Sequence, residues 1–124
     1  MDKKKILVVD DEEEILSLIQ KKLGTCNFAC MTTSKGSETL SLAKSFNPDL
    51  ILLDIVMPGT DGYAIAKELK SDKATQNTPI IFLTGKELEP RAINERVGEV
   101  GAIGFIMKPC SLQELLDKIN SVIG

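Results

Sequence analysis

The chain contains no histidine in its 124 residues. That absence removes Ser–His–Asp chemistry, His-ligated zinc and the usual general base at neutral pH. It also means the chain cannot itself carry a phosphohistidine. Cysteine is scarce: Cys26, Cys30 and Cys110 are an odd number at spacings that fit neither a zinc site nor a CxxC pair. They read as reduced thiols used as small packing groups. No apolar stretch approaches the roughly 20 residues of a membrane helix. The basic start leads into only four apolar residues before two aspartates, so it is no signal peptide and a cytoplasmic location is expected. Positive charge is also in short supply, with a net charge of −3. This argues against a direct nucleic-acid surface. The one basic cluster, residues 3–5, reads as a solvated lead-in to the first strand.

Apolar content of 43% and charged content of 27% suit one globular domain over residues 1–124. Four apolar runs stand out, and each ends on a polar residue. Residues 6–9 run into Asp10 and Asp11, residues 50–53 into Asp54, residues 80–83 into Thr84, and residues 105–107 into Lys108 and Pro109. Continuously apolar runs fit parallel strands covered on both faces. As strands of one sheet they would carry all four polar ends to one edge, where open α/β sheets build their sites.

Helical spacing alternates with these runs. Ile15, Leu16, Leu18, Ile19 and Leu23 form one face, with Gly24 as the expected C-cap. A weaker strand is expected near residues 28–32. Ser34 is the expected cap of a helix carrying Leu40, Leu42, Ala43 and Phe46, which Asn47 and Pro48 break. Residues 58–62 form a turn cluster, after which Tyr63, Ala66 and Leu69 mark a helix. Residues 87–100 give a loose apolar face of Leu88, Ala92, Ile93, Val97 and Val100. Ser111 with Glu114 forms a capping box before the last helix. The order is (βα)5, with right-handed crossovers and helices on both faces.

The acidic cluster calls for a cation. Glu12, Glu13 and Glu14 are explained by the helix N-terminus, whose dipole favours negative charge. Asp10 and Asp11 are not, because Asp54 ends a second strand on the same edge. Carboxylates held together raise one another's pKa values, and a hard divalent ion offsets this. Lys108 supplies further positive charge. The same carboxylates would repel a nucleotide or flavin phosphate that arrived without a metal.

Taken together, the acidic pair, Asp54, Met57-Pro58-Gly59 with Asp61-Gly62, Thr84-Gly85, Gly101 through Gly104-Phe105, and Lys108-Pro109 resemble the receiver domain of bacterial two-component response regulators, chemotaxis receivers among them. The resemblance covers essentially the whole chain. It implies a flavodoxin-like, doubly wound, five-stranded parallel sheet in the order 2-1-3-4-5. It implies Asp54 as phosphoacceptor and a Mg²⁺ (or Mn²⁺) ion held by Asp11, by Asp10 mainly through water, by Asp54 and by the backbone carbonyl of Val56. Thr84 would bond the phosphoryl group, and Lys108 would pair with the acceptor carboxylate. The bond before Pro109 would be cis. Thr84 and Phe105 would form the switch; plain core packing of Phe105 is the other reading.

The implied function is a phosphorylation-activated signalling switch rather than a turnover enzyme, catalysing only its own Mg²⁺-dependent phosphorylation and dephosphorylation. The donor would be a sensor histidine kinase, a histidine phosphotransfer protein or a small phosphodonor. An output partner, or a second copy in a phosphorylation-dependent dimer, would meet the surface of residues 87–123. The alternative is a pseudo-receiver that only docks. A haloacid-dehalogenase-type phosphatase is disfavoured, because Val56 stands where that class carries a second aspartate. Whether the chain acts alone or as one domain of a longer protein stays open. Cys110 replaces the family's usual Phe, and residues 87–100 are the expected place for a small excess of length. Thr60 and Lys86 are expected near the cleft mouth as solvated loop residues.

Overall fold

The chain is described from a computed structural model, which covers residues 3–85, 88–108 and 110–123. Strand β1 (Lys4–Val9) leads to helix α1 (Glu13–Thr25) and strand β2 (Phe28–Thr33). A short 3₁₀ turn (Gly36–Glu38) precedes α2 (Thr39–Phe46), and β3 (Leu50–Asp54) follows. A two-residue hairpin, β4 (Val56–Met57) and β5 (Thr60–Asp61), leads into α3 (Gly62–Ser71). The chain continues through β6 (Ile80–Thr84), α4 (Pro90–Val100), β7 (Gly104–Met107) and α5 (Leu112–Ile123).

The main sheet is wholly parallel in the order β2-β1-β3-β6-β7. This is the expected 2-1-3-4-5 order once the minor hairpin is left out of the count. All five residues of β3 and of β6 are buried, as continuous apolar runs in a two-faced parallel sheet should be. Alternate residues separate into two cores. Leu7, Val9, Leu53 and Phe82 pack beneath α2, α3 and α4, whereas Ile6, Val8, Leu52 and Leu83 pack beneath α1 and α5.

Several boundaries differ from the sequence expectation. Gly24 lies inside the last turn of α1, Cys26 is the cap, and Asn27 takes the left-handed turn at φ 69°. Asparagine tolerates that region because its short polar side chain bonds locally. Ser34 caps nothing: the Thr33 hydroxyl instead accepts the Lys35 N–H at 3.1 Å, and the 3₁₀ turn intervenes before α2. Ala92 faces solvent, while Ile93, Val97 and Val100 form the buried stripe of α4. Of the turn cluster at 58–62, residues 60–61 are β5 and Gly62 opens α3; only Pro58 and Gly59 form the tip of the β4–β5 hairpin, with Gly59 at φ 69°. A side chain is strained there, so glycine fits. The cap of α5 is as read: Ser111 Oγ accepts the Glu114 N–H at 3.1 Å. Lys86 and Pro109, with the peptide bond before it, lie outside the described residues.

Candidate functional site

Four strand ends build the site. Asp10 follows β1 and is fully buried. Its Oδ1 accepts the Glu12 N–H at 2.9 Å, which turns the chain into α1, and its own N–H donates to Thr33 O at 3.2 Å. Asp54 closes β3 and is 2% exposed. Its Oδ1 accepts the Val56 N–H at 3.4 Å. Gly62 fixes the loop beyond it: its N–H donates to Ile55 O at 2.8 Å. A Cβ there would strike Asp54 O and come within 2.7 Å of Ile55 Cα. Only a residue without a side chain lets α3 start this close to the end of β3.

Lys108 reaches in from the end of β7. Its N–H donates to Thr84 O at 2.6 Å, which ties the β6 and β7 ends together. Its Nζ lies 2.9 Å from Asp10 Oδ2, 3.5 Å from Asp54 Oδ2 and 3.6 Å from Glu12 Oε1. The expected pairing with Asp54 is therefore present, but the shorter bond goes to Asp10. The ammonium bridges two buried carboxylates.

Burial, the charges of Asp10 and Asp11, and a close Asp11 carboxyl push Asp54 up to about 7. Desolvation is the largest of these causes, and Lys108 opposes them. Burial alone would lower the Lys108 pKa; its hydrogen bond to Asp10 and the charges of Asp10, Asp54 and Glu12 outweigh this and raise it. One ammonium does not balance this many carboxylates. The donor set fits a hard cation: Asp10, Asp11 and Glu12 each offer a carboxylate oxygen, all within 4.8 Å of one another. All-oxygen carboxylate sets of this kind suit Mg²⁺ or Mn²⁺. Glu12 is the member that sequence reading missed, since the helix dipole already accounted for it. Val56 lines the same cavity as Asp11, Asp54 and Lys108.

The remaining expected residues lie close by but are not all engaged. Thr84 is buried at the end of β6, and its hydroxyl donates to Gly85 O at 3.3 Å, with no bond to Asp54 among the described residues. Phe105 is half-buried, pairs in register with Phe82, and packs on the same core as Tyr63 and Met107. Thr60 lies in β5; its Cγ2 packs against Gly36, and it lines a small cavity beside Asp11. The three cysteines are free, as read.

Residues 6–120 match the family model of the response regulator receiver domain. The chain belongs to that family. It is 38% identical over 121 residues to the alkaline phosphatase synthesis transcriptional regulatory protein PhoP of Bacillus subtilis, covering 97% of this chain and 48% of that protein. It thus spans about half the length of the curated relatives it matches. Among solved structures it resembles the chemotaxis protein CheY4 of Vibrio cholerae, with a TM-score of 0.89 at 28% identity, covering 97% of this chain and 98% of the other. It also resembles the BeF3-activated N-terminal receiver domain of Klebsiella pneumoniae RstA, with a TM-score of 0.86 at 28% identity over 97% and 98% of the two chains. The receiver fold and family read from the sequence are therefore correct. The expectation of no direct nucleic-acid contact gains no support from relatives named as transcriptional regulators. No helix among the described residues is long and apolar enough to cross a membrane.

Proposed function

We propose that residues 1–124 form one receiver domain that takes a phosphoryl group onto an oxygen of Asp54. The observation that carries this reading is the Lys108 ammonium between Asp10 and Asp54 at the buried edge of the sheet. Asp10, Asp11, Asp54 and the Val56 carbonyl would hold Mg²⁺ (or Mn²⁺), with Glu12 beside them. When bound, the ion supplies positive charge to the phosphoryl oxygens. A carboxylate is a competent nucleophile toward phosphorus and gives up no proton when it attacks. The missing histidine is therefore no handicap.

Charge develops on the equatorial oxygens during transfer, and donors already aimed there stabilise it. Lys108 is one such donor. Thr84 becomes another by giving up its weak bond to Gly85 O. That rotation empties space beside Phe105, which shares the face of the sheet on which Thr84 lies. The α4–β7–α5 surface then changes, and an output partner or second copy reads it. The donor is a sensor histidine kinase or histidine phosphotransfer protein, and the protein acts in the cytoplasm.

Intact mass spectrometry with acetyl phosphate and Mg²⁺ tests the reading. One phosphoryl group is expected on the wild type and none on Asp54→Asn or after chelation. Equal labelling of wild type and variant would remove Asp54 from the role. No labelling at all would leave a domain that only docks.

A further inference from the structure

The two edge strands of the sheet are finished differently. At β7 the Lys118 side chain lies over the strand: a Cβ on Gly104 would stand 3.2 Å from its Nζ and 3.3 Å from its Cε. Lysine at an edge is a common guard against pairing with another chain. The other edge strand, β2, reads Phe-Ala-Cys-Met-Thr-Thr and carries neither charge nor proline. Its odd-numbered residues bond toward β1, as the bond from the Asp10 N–H to Thr33 O requires. The main-chain groups of Phe28, Cys30 and Thr32 therefore point outward. Among the described residues, one side chain reaches this row: Gln20 Nε2 of α1 donates to Cys30 O at 3.0 Å. The edge also lies in a groove of about 680 Å³, with Met31 and Thr32 between Ser17 of α1 and Leu42 of α2. On the outer flank of α1, Glu13, Ser17 and Lys21 are exposed and follow one another at intervals of one turn. Helix α1 runs back between two parallel strands, so Glu13 stands by the end of β2 and Lys21 toward its start.

We propose that a second copy of this chain pairs with this edge, β2 against β2 in antiparallel sense, so that two sheets become one. A two-fold axis through the sheet keeps both α1 helices on one face and sets them antiparallel. The Glu13 end of one helix then meets the Lys21 end of the other. Symmetry forms that ion pair twice, with the small side chain of Ser17 near the middle. The charge order of α1 is thus complementary to itself, which favours a second copy over a foreign strand. Main-chain groups of Cys30 and Thr32 gain partners, as in other cases of strand addition, and Met31 and Leu42 lose water. The pairing leaves the β7 edge free and does not depend on the role proposed for Asp54.

Sedimentation equilibrium of the full chain tests the proposal, with a monomer–dimer equilibrium expected that weakens as salt is added. Lys21→Glu should raise the dissociation constant about tenfold, and so should Glu13→Lys, because each replaces two attractions by two repulsions. Both positions are exposed, so neither change threatens the fold. The double variant Glu13→Lys/Lys21→Glu should return to within about threefold of the wild type. A second readout locates the interface: amide hydrogen exchange at Cys30 and Thr32 should slow as protein concentration rises. A chain that stays monomeric up to millimolar concentration would overturn the proposal. So would a dimer that leaves exchange at Cys30 and Thr32 unchanged, or a double variant no tighter than the single ones.

Discussion

Replacing Asp54 with Asn should stabilise the metal-free protein above neutral pH. In the folded chain the Asp54 carboxyl is pushed from its ordinary 3.8 up to about 7, first by burial and then by Asp10. Between those values the folded state binds more protons than the unfolded state, so stability falls as pH rises. The loss is complete above the folded value and absent below the unfolded one. The interval spans about three pH units, and at about 1.36 kcal/mol each it amounts to roughly 4 kcal/mol. Water entry and movement of Lys108 return part of this, so the expected gain for Asp54→Asn at pH 8 is about 2–4 kcal/mol. The amide keeps an oxygen to accept the Val56 N–H, so the loop after β3 is not undone. Urea unfolding in a chelator at pH 4, 6 and 8 measures the effect. The two proteins should coincide at pH 4 and separate progressively toward pH 8. Adding Mg²⁺ should raise the wild-type midpoint more than that of the variant, since the ion offsets the same repulsion. A variant no more stable than the wild type at pH 8, or a difference independent of pH, would refute the claim that Asp54 is held in an over-charged pocket.

Other perturbations test the parts that position the site. Gly62→Ala forces a Cβ against the Asp54 carbonyl and Ile55 Cα, and should cost about 1–3 kcal/mol in urea unfolding. Ser111→Ala removes the acceptor of the Glu114 N–H and should cost about 1 kcal/mol; an unchanged midpoint would mean that the α5 cap contributes nothing. Burial pushes the Cys30 thiol up to about 11, so iodoacetamide at pH 8 should modify it far more slowly in the native protein than in urea, as read by peptide mass spectrometry. Comparable rates in the two conditions would show that the β2 edge opens freely.

The candidate site was legible because Asp10, Asp54, Thr84 and Lys108 each close an apolar run that fits only a strand buried on both faces. A strand such as 50–54 has no freedom to slip, since a one-residue shift would drive Asp54 into a core and bring an apolar side chain to the edge. Once β1, β3, β6 and β7 are parallel, Asp10, Asp54, Thr84 and Lys108 must share one edge. Helix ends are less constrained. Gly24 and Asn27 both offer a left-handed turn, and the path from α1 into β2 selects Asn27. Ser34 was the wrong cap because its neighbour Thr33 takes the Lys35 N–H and a 3₁₀ turn comes before α2, a choice between adjacent hydroxyls that spacing does not make.

Charge partition at the site was hidden for the same reason. The order of residues brings Lys108 to the carboxylates without ranking them. The ranking is set in three dimensions, where Asp10 is fully buried with one oxygen already bonded to the Glu12 N–H. Its second oxygen takes the ammonium at 2.9 Å, which leaves Asp54 with the longer 3.5 Å contact. A buried carboxylate lacking a close counter-charge is an acceptor waiting for positive charge. The same half-paired state keeps Asp54 expensive to ionise and ready to gain from a cation, so the stability cost predicted above and the proposed reactivity have one origin.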